Sequence, residues 1–145
     1  MRRIRNMVRG FTLIELLIVL AVIATLLAII TPYALGVIRQ AQATQVASTL
    51  RNIRSLVEAY VTATKPTEED NDVIQELVDL KYLTERPENY LCEFTVSNDT
   101  VTATITYVGG GGDLADLVAK ILPGATKSST NDNDIVYSFE IPRWW

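Results

Sequence analysis

The sequence predicts an α+β chain: a long N-terminal α-helix, its first half transmembrane, packed against a small antiparallel β-sheet head with one or two short helices. Three observations predict this. Residues 11–33 form an almost unbroken apolar run, residues 34–62 continue with apolar positions at helical spacing, and beyond residue 90 come β-branched and aromatic segments separated by polar turns. At 145 residues the chain has room for one small domain plus an accessory segment.

The first element rests on residues 16–30, LLIVLAVIATLLAII, where only Thr25 is not strictly apolar. The stretch Phe11–Tyr33 holds 23 residues. As a helix it runs roughly 34 Å, enough to cross a hydrocarbon core of about 30 Å. A helix apolar all round demands surroundings that a soluble chain of this size does not supply. Arg2, Arg3, Arg5 and Arg9 precede the run and no cation interrupts it. The positive-inside rule then expects a single pass through the bacterial inner membrane, with the N-terminus cytoplasmic and Thr31 onward outside.

Charge and composition narrow the chemistry. Thirteen Lys and Arg against seventeen Asp and Glu give a net charge of −4. Four of the cations lie in the first ten residues, so nine face all seventeen acids from Phe11 onward. Direct nucleic-acid binding is not expected of such a surface. There is no histidine, and Cys92 is the one cysteine, which excludes an intramolecular disulfide, a His/Cys zinc cage, a Ser-His-Asp triad and a Cys-His dyad. No enzyme activity, cofactor or metal is expected.

At the boundary between basic leader and apolar run stand Gly10-Phe11-Thr12-Leu13-Ile14-Glu15. This hexapeptide resembles the processing site of type IV prepilins and of the pseudopilins of type II secretion systems. The resemblance implies that Gly10 is the last leader residue, that a membrane prepilin peptidase cuts between Gly10 and Phe11, and that the new amino group of Phe11 is methylated. A residue with no side chain suits a bond that must lie extended in a protease cleft. The mature chain would keep 135 of the 145 residues.

Glu15 needs a physical reason. A carboxylate in an apolar helix costs about 2.5–3.5 kcal/mol at mid-bilayer and less near the interface. The resemblance supplies a partner, the positively charged amine of Phe11 on a neighbouring subunit. In a low-dielectric core such a pair rewards only the register that satisfies both groups. Pro32 stands 21 residues after Phe11, where the family commonly has a proline. It removes one backbone donor, and with Gly36 just beyond, a kink or local unwinding is expected between about Ala28 and Pro32.

After Pro32, the apolar positions Ile38, Ala41, Val46, Leu50, Ile53, Val57 and Tyr60 alternate with Arg39, Gln42, Gln45, Arg51 and Arg54. The spacing predicts one helix from Thr12 to about Thr62, the length of a pilin stalk. Thr67-Glu68-Glu69-Asp70 reads as the cap and acidic first turn of a short helix reaching about Leu80. Residues 77–87, LVDLKYLTERP, are similar to the L-x-x-x-x-Y-L-x-x-x-P region of many pilins and pseudopilins, but the D-P-W-G that often follows in major pseudopilins is missing.

Strands are expected at Tyr90–Val96 and Val101–Val108, joined by a turn at Ser97-Asn98-Asp99-Thr100, which also contains a formal glycosylation sequon. Cys92 reads as a small buried apolar residue. Gly109–Gly112 lacks the ending of a phosphate-binding loop and reads as a flexible link to a helix at 114–122 capped by Asp113. Residues 126–134 read as a solvated polar loop before a last strand at about 135–141. Some pseudopilins bind calcium in a head loop, but Asn131, Asp132, Asn133 and Asp134 are adjacent and lack EF-hand spacing.

The organisation expected is a leader at 1–10, a transmembrane or filament-core segment at 11–33, an amphipathic half-helix at 34–63 and a globular head at 64–145. The function expected is that of a structural subunit, processed by prepilin peptidase and polymerising into a type IV pilus or pseudopilus-like filament. The alternatives are a pseudopilin of a type II secretion or competence DNA-uptake system, and an anchored binding module that never polymerises. The resemblance implies as partners the peptidase, a membrane platform protein, an assembly ATPase and other pilins, with a periplasmic or cell-surface filament as the end state.

Overall fold

The computed structural model describes residues 10–145. Apart from Gly10, the expected leader with its four arginines lies outside the described residues. The elements in order are α1 (Leu13–Thr64), α2 (Val73–Asp79), β1 (Tyr90–Val96), β2 (Thr100–Tyr107), α3 (Gly112–Ile121), β3 (Ala125–Lys127) and β4 (Ile135–Pro142). The fold is α+β with a pilin-like layout. The chain divides into two units, one ending at Ile38 and the other spanning Arg39–Trp145.

The first unit holds the apolar half of α1. Every large apolar side chain from Leu13 to Ile30 stands exposed, so nothing in the chain itself covers this surface. Among the described residues α1 is the one helix long and apolar enough to cross a membrane. Its polar atoms are largely satisfied locally. Thr25 Oγ1 donates to Val22 O at 2.8 Å and Thr31 Oγ1 to Leu27 O at 2.7 Å, the back-bonding that lets hydroxyls sit in an apolar helix. The helix is continuous through Pro32 and Gly36.

The second unit is built on the rest of α1. Ala43, Val46, Ala47, Leu50, Ile53, Val57, Tyr60 and Val61 are buried, three or four residues apart, so one stripe of the helix faces the core. A four-stranded antiparallel sheet, ordered β1-β2-β4-β3, supplies the other wall. Its inner face alternates as the pleat requires: Tyr90, Cys92 and Phe94 on β1, Val101, Ala103 and Ile105 on β2, Ile135, Tyr137, Phe139 and Ile141 on β4. Register places Ala103 between Phe94 and Phe139, a small residue between two large ones that leaves room for the helix stripe. Arg54 joins the layers: it donates to Tyr137 Oη at 2.6 Å and to Glu58 at 2.7 Å, and its guanidinium lies 5.1 Å from the Phe139 ring centre.

Several expected boundaries move, each for a local reason. α2 starts at Val73 rather than in the 67–70 segment, because Asp70 exchanges both backbone hydrogen bonds with Phe94 and lies extended beside β1. Asp113 is not the cap of α3: the helix begins one residue before it, after Gly111 at φ 68°, and the Asp113 carboxylate instead meets Arg39 at 3.2 Å. The glycine segment is tied down, with Gly109 N donating to Asp134 Oδ1 at 3.0 Å and Gly111 N to Asn133 O at 3.1 Å. The polar stretch after α3 contains β3, paired through Ala125, Thr126 and Lys127 with β4. Gly124 makes the turn into it at φ 100°, where a Cβ would meet the Tyr137 ring at 3.3 Å.

Candidate processing and assembly site

Gly10 and Phe11 precede α1 and are free of the fold. A Cβ built on Gly10 meets nothing within 4 Å, and Phe11 is 93% exposed. The bond between them is therefore open to an incoming peptidase. The nitrogen of Phe11 is an amide here and carries no charge, so the unprocessed chain does not itself hold the cation that Glu15 is expected to meet.

Glu15 is engaged in a different way. Its Oε2 accepts from the backbone N–H of Thr12 at 2.8 Å and from Thr12 Oγ1 at 3.0 Å, while Glu15 N donates back to Thr12 Oγ1 at 3.3 Å. Leu16 N closes the first helical turn on Thr12 O at 3.2 Å. This is a capping box: Thr12 is the N-cap, and the residue three on satisfies its amide. The carboxylate also lies in the first turn, where the helix dipole favours negative charge. Hydrogen bonds within the described residues use Oε2 alone, leaving Oε1 for a second donor.

The structure thus brings Thr12 and Glu15 together at the start of α1 and sets Phe11 just outside it. Pro32 and Gly36 lie well along the same helix and take no part in this cluster. The signal for Thr12 was present in the sequence as T-x-x-E ahead of an apolar run. Sequence reasoning missed it because Glu15 drew attention as a buried charge rather than as a cap.

The remaining candidates sit in the second unit. Cys92 is fully buried, and burial pushes its thiol up to about 12, with the charges of Asp70, Glu93 and Asp72 adding to the effect. In the loop before β4, Asn131 Oδ1 accepts from Asn133 N at 3.4 Å and Asn131 Nδ2 donates to Asp134 Oδ2 at 3.2 Å. These side chains hold the loop and the glycine segment together. Asn98 is exposed in the β1–β2 turn, which closes through Ser97 N donating to Thr100 O at 2.8 Å.

Comparison with known proteins bears on the N-terminal cluster. The model of the prokaryotic N-terminal methylation motif matches residues 5–31, which include Gly10, Phe11, Thr12, Glu15 and most of the apolar run. No curated protein and no solved structure matches the chain. A single apolar N-terminal helix of spanning length following this motif is the arrangement of a single-pass membrane anchor. The chain therefore carries the prepilin signature of type IV pilins and pseudopilins, the mark of processing by prepilin peptidase, at the start of an α+β fold of pilin-like layout.

Proposed function

We propose that the chain is a filament subunit held in the inner membrane until a prepilin peptidase cuts between Gly10 and Phe11. Methylation of the Phe11 amine follows, residues 1–10 leave, and residues 11–33 pass from lipid into the core of a helical fibre. The carrying observation is the capped start of α1: one carboxylate in a wholly exposed apolar stretch, with one oxygen held by Thr12 and the other open.

Cleavage creates the missing donor. The amide of Thr12 is untouched by the cut, so the capping box survives, and Oε1 of Glu15 can take the ammonium of Phe11 from an adjoining copy. An isolated carboxylate in hydrocarbon is costly, whereas a paired and hydrogen-bonded one is tolerated. Partial exchange of lipid for neighbouring helices thus becomes selective for one axial offset. Because the contact runs from one copy to a different patch on the next and does not close, it builds a fibre rather than a ring. In such a fibre the proline removes a hydrogen bond near residue 28, so unwinding around Pro32 and Gly36 would accompany assembly. The partners are the peptidase, a platform protein, an assembly ATPase and other pilins. Glu15→Leu tests the reading: leader cleavage and membrane insertion stay native while filaments are lost, and native filament yield from this variant contradicts it.

A further inference from the structure

The second unit carries an aromatic, cationic island that the assembly site does not use. Trp144 is 66% exposed and stands edge-on to Trp145, ring centres 5.8 Å apart. Lys65 Nζ lies 4.6 Å from the Trp144 ring centre, and Arg143 lies 5.8 Å from that of Trp145. The island is rigidly built. Trp145 packs on the core, and Arg143 donates from its backbone to Asp99 O at 2.8 Å and from Nη1 to Ser97 O at 3.2 Å. Lys65, just past the end of α1, has φ 50° and closes on Val61 O at 3.0 Å. An indole held exposed with two cations beside it is a surface prepared for a partner.

The unit around the island is acidic: from Arg39 onward, nine Lys and Arg face sixteen Asp and Glu. The acids concentrate in 68–79, with Glu68, Glu69, Asp70, Asp72, Glu76 and Asp79. Arg86 is committed to Asp72 at 2.8 Å, and Lys81 is the other cation of this stretch. At the C-terminal end of α2, Leu80 is 53% and Tyr82 40% exposed beside Asp79. The buried polar atoms without a partner divide by sign in the same way. Arg143 Nε and Trp145 Nε1 at the island are donors, whereas Asp70 Oδ2 and Asp72 Oδ1 are acceptors. Being buried, these atoms set the sign of each patch rather than form a contact.

From this complementarity we infer that the Lys65–Trp144 island of one copy docks on the Asp79–Leu80–Tyr82 patch of a second copy. Each patch offers an exposed apolar group beside charge, and the two charges are opposite, which fixes orientation as well as attraction. The inference rests on the filament reading above and deepens it, adding a head contact to the stalk contact.

The test measures filament yield against the processed membrane pool for the full chain, its Lys65→Glu and Trp144→Ala variants, and the charge-swapped double variant Lys65→Glu with Asp79→Lys. Lys65 and Asp79 are exposed, and circular dichroism confirms that each variant folds. The single variants are expected to lose about tenfold in yield, the change that about 1.4 kcal/mol makes in an equilibrium, and the double variant to recover most of it. Native yield in both single variants, with wild-type filaments present, overturns the head contact alone. So does failure of the double variant to recover. Absence of wild-type filaments overturns the head contact and the filament reading together.

Discussion

Glu15 and Thr12 act as a pair, and substitution should separate their two roles. Glu15→Gln keeps an acceptor for the Thr12 amide but removes the charge, so the helix start should persist while filaments fail. Thr12→Val removes the cap and should weaken the first turn by about 1 kcal/mol, whereas Thr12→Ser should keep it. Amide hydrogen exchange at residues 13–16, in micelles, reads the helix start. Unchanged protection in Thr12→Val would contradict the capping role. Cys92 gives a second check at this scale: a thiol reagent at pH 8 should leave it untouched in the folded chain and modify it after unfolding. Burial of that thiol was legible from its place in an alternating strand, whereas the Thr12 bonds were hidden behind the more conspicuous charge.

The apolar half of α1 has two unlike sides. At 3.6 residues per turn, Ala21, Thr25, Ala28 and Pro32 share one face, and Ile23, Leu27 and Ile30 lie across from them. Small residues let helix backbones approach closely where lipid offers no hydrophobic drive. Ala28→Leu should therefore reduce filament yield at least about fivefold, while Ile30→Leu should leave it native. Equal yields from the two variants would remove the small face from the fibre core. Most elements were legible because their signals are periodic: the stalk helix, both strands of the β1–β2 hairpin and β4 follow from spacing alone. What was not legible depended on partners remote in sequence. Asp70 is drawn into the sheet by Phe94, Asp113 is drawn off its cap by Arg39, and β3 is too short and polar to read as a strand without β4 beside it.

For the whole molecule, two buried protons tie stability to pH. Tyr60 is pushed up from 10.0 to about 12, first by burial and then by its hydrogen bond to Glu76 and the charge of that carboxylate. Cys92 rises from 9.0 to about 12. The unfolded chain releases these protons at the ordinary values while the folded chain keeps them, so the unfolded state binds fewer protons in between. The stability they contribute is complete below pH 9 and is lost from there for Cys92, and from pH 10 for Tyr60, as pH rises towards 12. Each group should lower stability by about 1.4 kcal/mol per pH unit within its window. Urea unfolding midpoints of the chain in micelles at pH 8, 10 and 11 should fall in that order; a flat series would contradict the burial of both groups.

At the same scale stands the claim that cutting the chain creates the cation which Glu15 captures on a neighbouring copy. Mass spectrometry of the N-terminal peptide released from purified filaments tests it most directly. The expected product begins at Phe11 with a methylated amino group, and filaments whose subunits retain Gly10 and the residues before it would contradict it.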